Sequence, residues 1–134
     1  MEHHQGLALA RAARTAAKAD ANSPEQQKIW SELEAHAANV LESHFEIEET
    51  ALAPALSTLN DSHITMLLER MHQEHAALRA LLSPGGPRTA EQLAHAGELL
   101  AQHIRFEERE LFELAQARLD QSALDAITKA TQQR

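Results

Sequence analysis

His44-Phe45-Glu46-Ile47-Glu48-Glu49 returns further along the chain as His103-Ile104-Arg105-Phe106-Glu107-Glu108. The likeness reaches back to His36 and His95, and forward to Leu52 and Leu111. Each copy places a histidine four residues before a glutamate pair. A helix turns about 100° per residue, so the histidine and the first glutamate stack on one face, a turn apart. The second glutamate, Glu49 or Glu108, falls roughly 140° away, towards solvent. Trp30, Leu33, Ala37, Val40, Ile47 and Ala51 lie within roughly 60° of His44, and Ala96, Leu99, Leu100, Phe106 and Leu114 bracket His103. His44, Glu48, His103 and Glu107 therefore sit inside apolar stripes. A buried carboxylate without a partner costs several kcal/mol or stays protonated. Two such helices facing each other bring two imidazoles and two carboxylates to one point. That is the donor set of a bimetallic site, with borderline nitrogen donors and carboxylates able to bridge two cations. The competing reading is a hydrogen-bonded polar network without metal.

Around this repeat the chain reads as helix. Breakers divide it at Asn22-Ser23-Pro24, Leu59-Asn60-Asp61-Ser62 and Ser83-Pro84-Gly85-Gly86-Pro87. The first helix is expected to run to about residue 21. Ser23 caps the second with Pro24 at its first position, and Pro54 bends or ends it after Ala53. The third opens at the turn before Ser62. Thr89 caps the fourth, which runs to about Arg118. Asp120 or Ser122 caps a short tail helix with Leu124 and Ile127 on its apolar face. Short connections predict an all-α fold, an up-down-up-down antiparallel four-helix bundle with a short C-terminal helix. The expected domain is single, residues 1–134, with the bundle over 1–118 and the tail helix over 120–132.

Composition agrees and narrows the chemistry. Hydrophobic residues make up 43% of the 134 positions but aromatics only 3%, and alanine and leucine favour helix over sheet. With no cysteine, disulfides, thiolate metal sites and iron–sulfur clusters are excluded. Twelve basic against twenty acidic residues, net −8, argue against nucleic acid as a partner. No apolar run reaches the ~18–20 residues that cross a bilayer, and the first residues do not read as a signal peptide, so no membrane partner and a cytoplasmic location are expected.

Nine histidines are many for such a chain. On the third helix the stripe of Ile64, Leu67, Leu68, Met71, Leu78 and Leu82 lies about 40° from His75 and about 100° from His72, so His75 is the inward residue. On the first helix the stripe of Leu7, Leu9, Ala10, Ala13 and Ala17 takes in His3. Matching His4-to-Leu7 with His75-to-Leu78 favours His4 instead, and both stay open. His36 and His95 read as stripe-edge residues, and His63 as a surface residue.

The ordered set resembles the hemerythrin-like, or HHE cation-binding, family. The residues that carry it are Glu2-His3-His4, His44 with Glu48, Glu74-His75-Ala76-Ala77-Leu78, and His103 with Glu107, over about residues 2–118. The resemblance implies two iron ions in an oxo- or hydroxo-bridged di-iron centre, held by His3, His44, Glu48, His75, His103 and Glu107, with His4 and His72 the less favoured candidates. It also implies a small diatomic or peroxide as ligand (O2, NO or H2O2), which the protein binds or reacts with. The alternative within the family is a non-catalytic iron store or an iron or oxygen sensor. Oxygen carriers of the family have a further histidine on the third helix where this chain has Met71, a departure that argues against simple oxygen carriage. The cysteine-bearing segment of the iron-centre repair relatives is missing.

Overall fold

In a computed structural model, the backbone is described for residues 2–19, 23–84 and 88–132, and the side chains for 5–19, 23–84 and 88–130. All regular structure among the described residues is helical. The helices are α1 (Glu2–Ala16), α2 (24–57), α3 (Ser62–Leu82), α4 (90–118) and α5 (Gln121–Gln132).

The caps follow local chemistry. The Ser23 side chain accepts from the Gln26 amide, and Pro24 opens α2 where its missing N–H has no role. α1 stops at Ala16, short of the expected end near residue 21. The reason is Gln26, a buried amide whose Nε2 donates to the carbonyls of Ala16 (3.0 Å) and Ala19 (3.1 Å). Asn60, with φ of 52°, turns the chain into α3, and Asp61 caps it by accepting from the His63 and Ile64 amides. Thr89 accepts from Gln92 N at the start of α4. Of the two residues expected to cap the tail helix, Asp120 does so, accepting from Ala123 N at 2.8 Å.

Pro54 does not end α2, which continues to Ser57. Just before it, Glu48–Leu52 forms a widened, π-helical turn in which Ala53 N–H reaches back five residues to Glu48 O. The ordinary ladder is already displaced there, so the missing N–H of Pro54 costs little. α4 carries the same widened turn at Glu107–Leu111, closed by Phe112 N–H to Glu107 O. Both begin on the first glutamate of the repeated motif. A third, Ala37–Leu41, has no counterpart in α4, which is regular over Ala90–Phe106.

The core falls into two apolar clusters. One holds Ala10, Ala13, Trp30, Leu33, Phe45, Leu78, Leu93, Leu100 and Ile104. The other holds Leu52, Leu56, Leu67, Met71, Phe106 and Leu111, with Ile127 of α5 packed against it. Along α2 the first gives way to the second across Glu48, and along α4 between His103 and Glu107. Along α3 the order reverses across His75. The buried polar side chains thus occupy the level where the clusters meet.

α1 meets α4 through small residues. A Cβ on Gly97 would stand 2.7 Å from the Ala10 carbonyl oxygen, whereas one on Gly6 would meet the tip of Ile104 at 2.8 Å. Gly97→Ala is expected to destabilise the fold by about 1–3 kcal/mol despite alanine's higher helix propensity, because backbone has to move. Gly6→Ala should cost clearly less, since a side-chain tip can rotate. Urea denaturation of the two variants checks the order, and equal midpoints would remove the close-packing argument.

Candidate metal centre

Four buried side chains from three helices converge at the level between the clusters: Glu48 on α2, His75 on α3, and His103 and Glu107 on α4. One nitrogen or oxygen of each lies within 4.8 Å of all the others. His75 Nε2 is 2.9 Å from Glu48 Oε1 and 3.6 Å from Glu107 Oε2, and His103 Nε2 is 2.9 Å from Glu107 Oε2. Both Nε2 atoms and Glu48 Oε1 nonetheless have no hydrogen-bond partner among the described residues. The opposite ring nitrogens are well engaged. His75 Nδ1 donates to Glu49 Oε2 at 2.8 Å, and His103 Nδ1 donates to Glu74 Oε1 at 2.7 Å. With Nδ1 carrying the proton, a neutral imidazole aims its Nε2 lone pair at the cluster, which is how metal-binding histidines are commonly held.

The donors also suit a cation in spacing. Oxygen and nitrogen atoms bound at about 2.0–2.2 Å to one ion lie about 3–4 Å apart, and the three His–Glu approaches above are 2.9 to 3.6 Å. Residues 1–115 match the hemerythrin HHE cation binding domain. The chain belongs to that family. No curated protein and no solved structure matches it significantly. A hemerythrin domain binds metal cations, and this one has a buried Glu/His cluster able to hold metal. The matched region ends in α4, ahead of α5.

Without a cation, burial and neighbouring charge shift the titration of every member of the hemerythrin cluster. Burial disfavours charge on His75 and His103, but the carboxylates around them outweigh it and raise both to about 9. Burial pushes Glu48 up to about 8, helped by the neighbouring Glu107. Burial acts on Glu107 in the same direction, but His103 and His75 overcome it and hold that carboxyl well below the usual range. The two carboxyl groups are thus pushed in opposite directions, and both rings are pushed towards the charged form.

The remaining candidate residues divide. His44 is half-buried and is not among the four, but it lines a small cavity with His103 and Glu107 and a larger pocket with Glu48. His72 is 51% exposed, its Nδ1 4.0 Å from Glu49 Oε2. The side chains of His3 and His4 lie outside the described residues. His36, read as a stripe-edge residue, is buried, whereas His95 and His63 are exposed.

Glu49 corrects the angular reading. Expected to point to solvent, it turns back to His75 Nδ1 and also accepts from Arg79. It stands in the widened turn that begins at Glu48, where a phase of 100° per residue no longer applies. Glu108, its counterpart, is exposed. Glu74 as the partner of His103, and Phe45, whose ring stacks on His75 at 3.9 Å, were not foreseen. The available signal for Glu74 was Arg70, four residues before it on the same helix and paired with it at 2.9 Å.

The raised groups give the metal-free protein a pH signature. A histidine held at about 9 when folded, against about 6.5 when unfolded, stabilises fully below pH 6.5, and that contribution disappears as pH rises through 9. Glu48, at about 8 when folded, has the same sign, its contribution being lost as pH rises through 8. Thermal scans of chelator-treated protein should therefore show the melting temperature falling from pH 7 to pH 9.5. A melting temperature that holds steady across that range would contradict the raised values of His75, His103 and Glu48.

Proposed function

We propose that this chain is a non-haem di-iron protein that binds or reacts with a small oxidant, O2, NO or peroxide. The observation that carries the reading is the meeting of the two mirrored glutamates, Glu48 and Glu107, with His75 and His103 in the buried interior. In this reading Glu48 and Glu107 would hold two iron ions through their carboxylates. His44, His75, His103 and one of His3 or His4 supply nitrogen ligands, and His72 stays outside. The up-down-up-down arrangement is part of the same proposal. It is supported by the reversed order of the apolar clusters along α3 relative to α2 and α4. So is a single domain over 1–134, with bundle and tail helix sharing one apolar cluster through Ile127, and a cytoplasmic location, for which the notable absence is any described helix long and apolar enough to cross a membrane.

Bound there, iron would supply the electrons that reduce or reversibly bind the oxidant. The chain's own residues set the conditions. Glu49 and Glu74 hold the two imidazoles so that Nε2 faces inward. Glu48 keeps a proton at neutral pH until a cation displaces it. A pocket of about 310 Å³ reaches His44 and Glu48, lined mainly by Ile47, Leu52, Phe112, Leu124 and Ile127, with Gln116 and Thr128 the other polar residues. Such walls favour a small uncharged molecule over an ion.

Protein purified from iron-replete cells should contain two irons per chain and show near-ultraviolet charge-transfer absorption when oxidised. Less than half an equivalent of any transition metal would overturn the reading. Glu48→Ala and His44→Ala should each lose the dinuclear centre, while His72→Ala keeps both irons. If His72→Ala loses as much iron as His75→Ala, the site has a fifth histidine. Stopped-flow mixing of the diferrous protein with each oxidant separates a reactive centre from a store or sensor.

A further inference from the structure

Two arginines of α3 stand behind the two cluster histidines, and neither is used by the reading above. Arg79 lies one turn after His75. Its Nε and Nη2 donate to the two oxygens of Glu42 at 3.1 and 2.9 Å. Its Nη1 and Nη2 donate to the two oxygens of Glu49 at 2.8 and 3.2 Å. Glu49 Oε2 is the atom that also accepts from His75 Nδ1. The same guanidinium lies 5.2 Å from the centre of the Phe45 ring, and Phe45 in turn stacks on His75. Arg79 therefore backs both the edge and the face of that imidazole.

Arg70 repeats the device for His103. Its Nε donates to Glu74 Oε2 at 2.9 Å, while Glu74 Oε1 accepts from His103 Nδ1 at 2.7 Å. Arg70 Nη1 reaches Glu110 at 3.4 Å, and its guanidinium lies 4.2 Å over the Phe106 ring. The two clamps are unequal. Arg79 makes four hydrogen bonds across two carboxylates, whereas Arg70 makes one good bond, one long one and a closer ring contact.

We propose that Arg79 and Arg70 are positioning residues for the candidate metal centre, each holding the carboxylate that fixes a histidine with Nδ1 protonated and Nε2 inward, with the Arg79 clamp the stronger. A carboxylate paired to guanidinium stays anionic and in place, so it accepts from Nδ1 without rotating into water. The inference rests on His75 and His103 being metal ligands.

The test uses the full chain with zinc alone as probe, as wild type, Arg79→Gln, Arg79→Lys and Arg70→Gln. Zinc affinity is measured by competition with a chromophoric chelator. Imidazole Nδ1–H protons are observed by ¹⁵N-resolved NMR, in zinc-loaded and in chelator-treated protein. Wild type should show slowly exchanging Nδ1–H signals for both His75 and His103. Arg79→Gln should lose the His75 signal, keep that of His103 and bind zinc about tenfold more weakly, the low end of what outer partners contribute. Arg70→Gln should do the reverse with a smaller loss of affinity. Arg79→Lys should not restore the His75 signal, because an ammonium cannot fork between Glu42 and Glu49. A side-selective loss is not what general destabilisation would give. Both signals and full affinity in Arg79→Gln would overturn the proposal. Wild type that takes up no zinc while keeping both signals would overturn the ligand assignment instead, leaving the arginines judged on the chelator-treated signals.

Discussion

Two carboxylates are brought together inside a helical interior, and the rest of the molecule is arranged around that cost. Like charges a few ångströms apart in a medium poorer than water cannot both ionise without compensation. The protein supplies it in layers. Imidazoles stand against the carboxylates, further carboxylates stand behind the imidazoles, and guanidinium groups stand behind those. Charge alternates outward until it reaches solvent. A cation at the centre fits the same alternation, taking the place of the protons that Glu48 and the rings otherwise hold.

The helix geometry serves this arrangement. An uninterrupted helix would send successive glutamates to opposite sides. The widened turn starting at Glu48 lets one glutamate enter the cluster while its neighbour grips the histidine from outside. On α4 the same turn starts at Glu107, but there the neighbour remains exposed, and α3 supplies Glu74 as the outer partner instead. The two halves of the site reach similar surroundings by different routes, which a repeat in sequence would not by itself suggest.

Much of this was legible from residue order. Caps at Ser23 and Thr89 follow from small polar side chains before helical runs, and the inward direction of Glu48, His75, His103 and Glu107 follows from their place in apolar stripes. What could not be read depends on contacts between distant segments. Gln26 closes the end of α1 by donating to the Ala16 carbonyl and to that of Ala19 just beyond it, a role nothing in its own neighbourhood signals. Pro54 passes through α2 because the turn before it is already wide. Glu49 was misplaced for the same reason, since a constant angular step fails wherever the hydrogen bonds skip a residue. Arg79 looks like one more exposed cation until its two partners on α2 are seen.

The alanine and glycine contact between α1 and α4 has a consequence for how α1 is held. Small side chains allow close approach but each removes little apolar surface from water, so the hold on α1 rests on that closeness together with the partly buried Leu7 and Leu9. A bulky residue at that seam would push apart backbones and not only side chains, so the position of the helix that bears His3 and His4 is set by the absence of atoms at Gly97.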